Sequence, residues 1–198
     1  MSSKPPGALA IATPADVLTA WFGTDPNAID ERWFKASPAF DDTLRARFAS
    51  TVELALQGGL TEWEASLEGR RALLIVLDQF PRNLYRRTAR AFAGDARALA
   101  LTHAMLARGD DRVLTVVQRW FVYLPLMHAE DAAAQALSVH LFTALADADP
   151  RLASALDYAH RHRDVVDRFG RFPHRNEALG RPTTATEATF LLQPGSRF

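Results

Sequence analysis

Three stretches of this chain crowd arginine, carboxylate and aromatic side chains around a proline, two of them with a histidine. The first is Asp78-Gln-Phe-Pro-Arg-Asn83, continued by Arg86, Arg87 and Arg90. The second runs from Arg119 through Tyr123, Pro125 and His128 to Glu130. The third, Arg168 to Arg181, holds four arginines (168, 171, 175 and 181), His174 and Asn176, but one acid, Glu177. Guanidinium groups are planar forks that grip carboxylates and phosphates bidentately, and an imidazole moves protons near neutral pH. On that chemistry Arg82, Asn83, Arg119, Tyr123, Arg168, Arg171, Arg175 and Asn176 are the candidate ligand contacts. His128 and His174 are the proton-transfer candidates, with Asp78 and Glu130 to orient the site. The expected ligand is a small anion.

Each knot also admits a purely structural reading. Asp78 follows one helical turn after Leu74 and Ile75, and a carboxylate pointing inward there needs a cationic partner. Arg119 and Tyr123 lie four apart and share a helix face. The arginines of the third knot could answer Asp78, Glu130, Asp164 and Asp167 in ion pairs. His128-x-Glu130 lacks any supporting ligand spacing, so no metal is expected. There is no glycine-rich phosphate loop, Gly-x-Ser-x-Gly elbow or His-Glu-x-x-His motif, and no cofactor is implied. His160 and His162, alternating with Arg161 and Arg163, read as solvated helix surface.

The element that must carry the first knot is Ala72-Leu-Leu-Ile-Val-Leu77, apolar on every face and therefore a central buried helix. Around it the helix signals repeat. Thr13-Pro14 starts a short helix closed by Gly23, and Asp25-Pro26 repeats the signal with Ile29, Trp33 and Phe34 on one face. Ser37-Pro38 opens a longer helix that Gly58-Gly59 ends, and Thr61 caps the helix leading into the buried run. Pro81 is expected to stop that helix, leaving a loop over residues 82–92 before an N-cap at Asp95. Later helices are expected from Asp110 or Asp111 to an interruption at Pro125, after His128, from Asp149-Pro150 to Gly170, and after the capping box Thr184–Glu187. No run alternates with period two between turn dipeptides. The fold class is all-α: one domain over residues 13–198, behind a flexible tail over residues 1–12, built of stacked antiparallel hairpins.

The composition narrows the function classes. Of 198 residues, 48% are hydrophobic, and the 23 Lys+Arg match the 23 Asp+Glu, which argues against nucleic acid as partner. There is no cysteine, so disulfides, thiolate metal sites and cysteine nucleophiles are excluded. No apolar run approaches about 18 residues, so no membrane partner is expected and a cytoplasmic location is. Nothing in the pattern fixes the oligomeric state.

The knots also carry a resemblance. Leu77-Asp-Gln-Phe-Pro-Arg-Asn83 with Arg90-Ala-Phe-Ala93 is similar to the most recognisable block of a mainly bacterial family, domain of unknown function 924. Arg119, Phe121, Tyr123-Leu-Pro-Leu and His128-Ala-Glu130 resemble its middle block, and Arg168 to Arg181 its C-terminal one. The similarity spans about Val17 to Phe190. It implies an all-helical fold of the tetratricopeptide-like superfamily and no established activity. Ala129 departs from the pattern, which carries serine there, so that position offers no nucleophile. Two functions stay open: a pocket that binds or transforms a small anionic metabolite, or a helical module whose groove takes a peptide or protein partner.

Overall fold

The computed structural model describes residues 10–197. The tail expected over residues 1–12 lies outside these as far as residue 9; at its end the Ala12 N–H donates to Thr51 Oγ1 at 2.9 Å. The described residues are helical, without strands. The helices are α1 Pro14–Phe22, α2 Pro38–Leu56, α3 Leu67–Leu74, α4 Phe80–Leu84, α5 Asp95–Arg108, α6 Val116–Met127, α7 Ala132–Ala148, α8 Ala153–Phe169 and α9 Ala185–Leu191. No described helix is long and apolar enough to cross a membrane.

The apolar run is the centre of the fold. Ala72 to Leu77 and Phe80 are buried, and α1, α2, α5 and α6 pack around them. Each large apolar side chain buried here contributes about 1.5–3 kcal/mol. Trp21, Phe22, Phe40, Phe80 and Phe121 interlock on one side, mostly edge to face. Beyond α5 the chain is simpler: α5, α6, α7 and α8 each pack against the next, in chain order. A small second cluster of Val165, Val166 and Phe172 docks the C-terminal segment, with Phe169 and Phe190 against it.

Several start signals work as the sequence suggests. Thr13 and Asp16 form a capping box for α1, Ser37 caps α2, and Thr184 with Glu187 caps α9. Others are corrected. Asp25-Pro26 opens only a turn, followed by a 3-10 turn at Glu31–Trp33, because Trp33 is drawn inward and its Nε1 donates to Trp21 O at 3.0 Å. Thr61 opens a 3-10 turn, and Ser66 is the residue that caps α3. Gly94, not Asp95, is the N-cap of α5, and Thr115 with Gln118 caps α6.

Neither proline stops its helix. Between α3 and α4, Ile75–Gln79 forms a π turn in which the Phe80 N–H reaches back to Ile75 O. Pro81 lacks an N–H and its ring would collide with an α-helical carbonyl four residues back. The wider turn immediately before it lets the helical path continue from Leu67 to Leu84. In α6, Pro125 is accommodated while Thr102 Oγ1 donates to Val122 O at 2.9 Å. The end of α6 is held by Gln135, whose Nε2 donates to Met127 O and Ala129 O at 2.7 and 2.8 Å.

The π turn and α5 meet without room for a side chain. A Cβ on Gly94 would stand 2.2 Å from Leu77 O, which is backbone and cannot swing away. Gly94→Ala is expected to lower the free energy of unfolding by about 1–3 kcal/mol, the usual cost of overpacking, read as a lower denaturation midpoint at unchanged m-value. An unchanged midpoint would show that this approach is not a constraint.

Candidate functional site

The polar end of the buried helix opens onto a cavity of about 590 Å³, lined from five parts of the chain. The segment before α2 supplies Trp33 and Phe34. The π turn and α4 supply Gln79, Arg82 and Asn83, followed by Arg86, Arg87 and Phe92. Helix α6 supplies Trp120, Leu124, Met127 and His128, and α8 supplies Ser154, Ala155, Tyr158 and His162. The C-terminal segment adds His174, Arg175, Glu177 and Arg197.

At its centre is a chain of charges. Asp78 is 1% exposed. Its Oδ1 accepts from His128 Nδ1 at 2.7 Å and lies 3.3 Å from Arg82 Nη1, and Gln79 Nε2 donates to Oδ2 at 2.5 Å. Arg82 also grips Asp95 with both Nη atoms, at 2.9 and 3.0 Å. Asp95 then accepts from Arg175 Nη1 at 3.0 Å. Arg175, 6% exposed, is sandwiched by Phe92 and Phe172 with both ring centroids 4.6 Å away, and its Nε makes no hydrogen bond among the described residues. Asn83 and Arg86 are held by Asp41, through contacts of 2.8 and 2.5 Å.

These surroundings set the proton chemistry. Burial opposes the charge on Asp78, but Arg82, His128 and the hydrogen bonds from His128 and Gln79 outweigh it and hold the carboxyl well below its ordinary range. Burial and the Arg82 charge hold His128 below the ordinary imidazole value, against the pull of Asp78. Neutral His128 therefore donates a hydrogen bond from its Nδ1–H to the Asp78 carboxylate, so its Nε2 carries the lone pair. Burial, with neighbouring cationic groups, pushes His162 down to about 3 and His174 down to about 4. Arg175 is pushed down to about 10 by burial and by Arg82.

The candidates from the sequence divide into two groups. Asp78, Arg82, Asn83, His128, His174 and Arg175 gather at the cavity. The others stand elsewhere. Arg119 Nε bonds Leu114 O at 3.1 Å and Tyr123 Oη bonds Asp111 at 2.7 Å, so the face they share turns toward the start of α6. Glu130 receives two bonds from Arg181, at 2.6 and 2.9 Å, and one from the Phe172 N–H at 2.7 Å, which fastens the C-terminal segment to the α6–α7 turn. Arg171 and Asn176 meet the buried Glu187, and Arg168 lies over Phe169 and Phe190. Those six hold the segment that carries His174 and Arg175, or the turn at the start of α6.

Sequence reasoning missed His162. It is 6% exposed, not on the solvated surface, and its Nδ1 donates to Tyr158 O at 2.8 Å. The signal was present: Ala155, Ala159, His162 and Val166 keep a helical stripe that puts His162 on the apolar face of α8. Asp95 was read only as a cap, and the aromatic wall of Trp33, Phe34, Trp120 and Tyr158 was not foreseen as part of a site.

The fold and the cavity define an all-helical protein with an arginine- and histidine-lined pocket at the polar end of its central helix. The chain belongs to the family described as bacterial protein of unknown function (DUF924), whose model matches residues 17–195. It is also similar to the solved structure of a protein of unknown function from Agrobacterium tumefaciens, with 38% sequence identity and a TM-score of 0.80. That match covers 90% of this chain and 96% of the other. No curated protein matches this chain.

The buried histidines make stability pH-dependent. Their folded pKa values lie below the unfolded value, so the unfolded chain takes up protons first as pH falls below about 6.5. Between about pH 6.5 and 5.0 the carboxylates stay largely ionised in both states. Unfolding free energy is expected to drop across this window by about 2 kcal/mol for His162 alone. His162→Asn, which keeps a donor for Tyr158 O, is expected to flatten the slope in urea titrations at the two pH values. A parent protein equally stable at both would contradict the burial of these rings.

Proposed function

We propose that the cavity binds a small organic anion, and that Asp78 and His128 form a proton-transfer dyad at its edge. The observation that carries this reading is Arg175, a buried guanidinium lining the cavity whose Nε has no hydrogen bond among the described residues and whose cationic form is disfavoured by burial. An anion beside it would restore what desolvation and the Arg82 charge take away. The cavity volume lies in the range of small-molecule sites, not of a long peptide groove, which favours this reading over an interaction module. His128, neutral and fixed by a buried carboxylate through Nδ1, is suited to accept a proton through Nε2 from a bound hydroxyl or water.

The test is a thermal-shift screen of carboxylate and phosphate metabolites. Compounds near 100 times Kd are expected to stabilise the protein by about 2.7 kcal/mol. Arg175→Ala is expected to weaken each hit at least about tenfold, the 1.4 kcal/mol of a lost charged contact. Arg108→Ala, a change at an exposed arginine of α5 that does not line the cavity, should keep the parent's affinity. No anionic hit, or equal affinity in parent and Arg175→Ala, would sink the proposal.

A further inference from the structure

The cavity is graded along its length. Helix α6 brings Trp120 and Leu124 to its wall and, further along the same helix, His128. Trp120 and His128 are eight residues apart, which on an α-helix is about 12 Å. Helix α8 repeats the order, with Ala155 and Tyr158 before His162. The two histidine rings face each other with centroids 6.3 Å apart, so the polar ends of both helices coincide. One end of the cavity is therefore aromatic and the other holds the imidazoles and Arg175.

The aromatic end is left open to water. Among the described residues the exposed large apolar side chains are Ile11, Phe34, Leu54, Val113, Tyr158 and Leu192, and two of these, Phe34 and Tyr158, line this cavity. Phe34 is 56% exposed yet fixed in place, stacked on Trp120 at 4.9 Å and 16° and set edge-on to Trp33. A rigid, exposed aromatic wall facing a pocket is a surface waiting to be covered, since leaving it in water forfeits about 25 cal/mol for every Å² of apolar area. The charge of the cavity wall is modest: Arg82 and Arg175 are matched by Asp78 and Asp95 and Arg86 by Asp41, which leaves Arg87 and Arg197 against Glu177, an excess of one positive charge. That balance suits a head carrying one negative charge and not a polyphosphate.

We infer that the ligand is an amphipathic monoanion: a flat apolar body lies against Phe34, Trp120 and Tyr158, and a carboxylate head sits beside His128 and Arg175. This rests on the anion-pocket reading above and specifies its ligand class and orientation.

Calorimetric titration with four probes separates the two. Acetate and inorganic phosphate carry the head alone, 4-biphenylmethanol the body alone, and 4-biphenylcarboxylate both. The carboxylate with the flat body is expected to bind at least about tenfold tighter than acetate, phosphate or the uncharged alcohol. Phe34→Ala, a change at an exposed position that the fold tolerates, is expected to cost that probe about threefold or more and to leave phosphate binding unchanged. Acetate or phosphate binding as tightly as 4-biphenylcarboxylate, or an unaltered Phe34→Ala, overturns the inference and leaves the anion pocket standing. Equal binding of 4-biphenylmethanol and 4-biphenylcarboxylate removes the charged head and overturns both. No binding by any charged probe likewise overturns both.

Discussion

The structure depends on keeping the charge of one carboxylate stable at the end of a helix that has no polar face. Removing Asp78 from water costs several kcal/mol in isolation. Its compensation comes from Arg82 one turn on, from His128 at the end of α6, and from Gln79 beside it. Arg82 is shared with Asp95 at the start of α5, and Asp95 with Arg175 in the C-terminal segment. One buried charge thus ties four separate parts of the chain to a single point. Such a network is weak evidence for net stability, because a well-packed apolar replacement can do as well. Its value lies in geometry: the groups around the cavity are fixed relative to one another by bonds that leave little freedom.

Backbone irregularities deliver these groups to that point. The π turn at Ile75–Gln79 adds a residue to the helix where Asp78 and Gln79 must face the cavity, and π turns recur at functional sites for this reason. It also lets the helix run through Pro81, so Arg82 and Asn83 stay on a rigid helical path. Gly94 allows α5 to start against Leu77 O, which sets Asp95 between the two arginines. Gln135 plays the corresponding part for α6, since its amide holds the carbonyls flanking His128. In each case a residue without obvious chemistry sets the position of one that has it.

This division explains what was legible in the sequence. The buried helix, the all-helical class and several caps follow from short-range rules, and Ala72–Leu77 could only be central. Pro81 was misread because a helix passes a proline when the turn before it is widened, and no residue type in Ile75–Gln79 announces that turn. Asp25-Pro26 has a good start signal, but the pull of Trp33 into the core overrides it. At the site, arginine clusters were visible as clusters, whereas which arginine meets which acid is a property of the fold. Glu187 takes Arg171, and Glu130 takes Arg181, across 16 and 51 residues of chain. His162 failed for a simpler reason: its charged neighbours in sequence point the other way on the helix.

The knots were read as whole stretches, but their residues take different partners in the structure. In the third knot Arg171, Asn176 and Arg181 face Glu187 and Glu130, and by closing those pairs they hold His174 and Arg175 against the cavity. In the second, Arg119 and Tyr123 brace the turn into α6, whereas His128 ends the helix at the cavity. In the first, Asp78 meets both, since the carboxylate that Arg82 neutralises also accepts from His128 and orients it. A carboxylate needed only as an ion-pair anchor would have been satisfied by Arg82. Adding a neutral imidazole contributes little to charge balance, and its effect is to fix one tautomer with the free nitrogen available. For Asp78, then, one carboxylate oxygen serves both the ion pair with Arg82 and the orientation of His128.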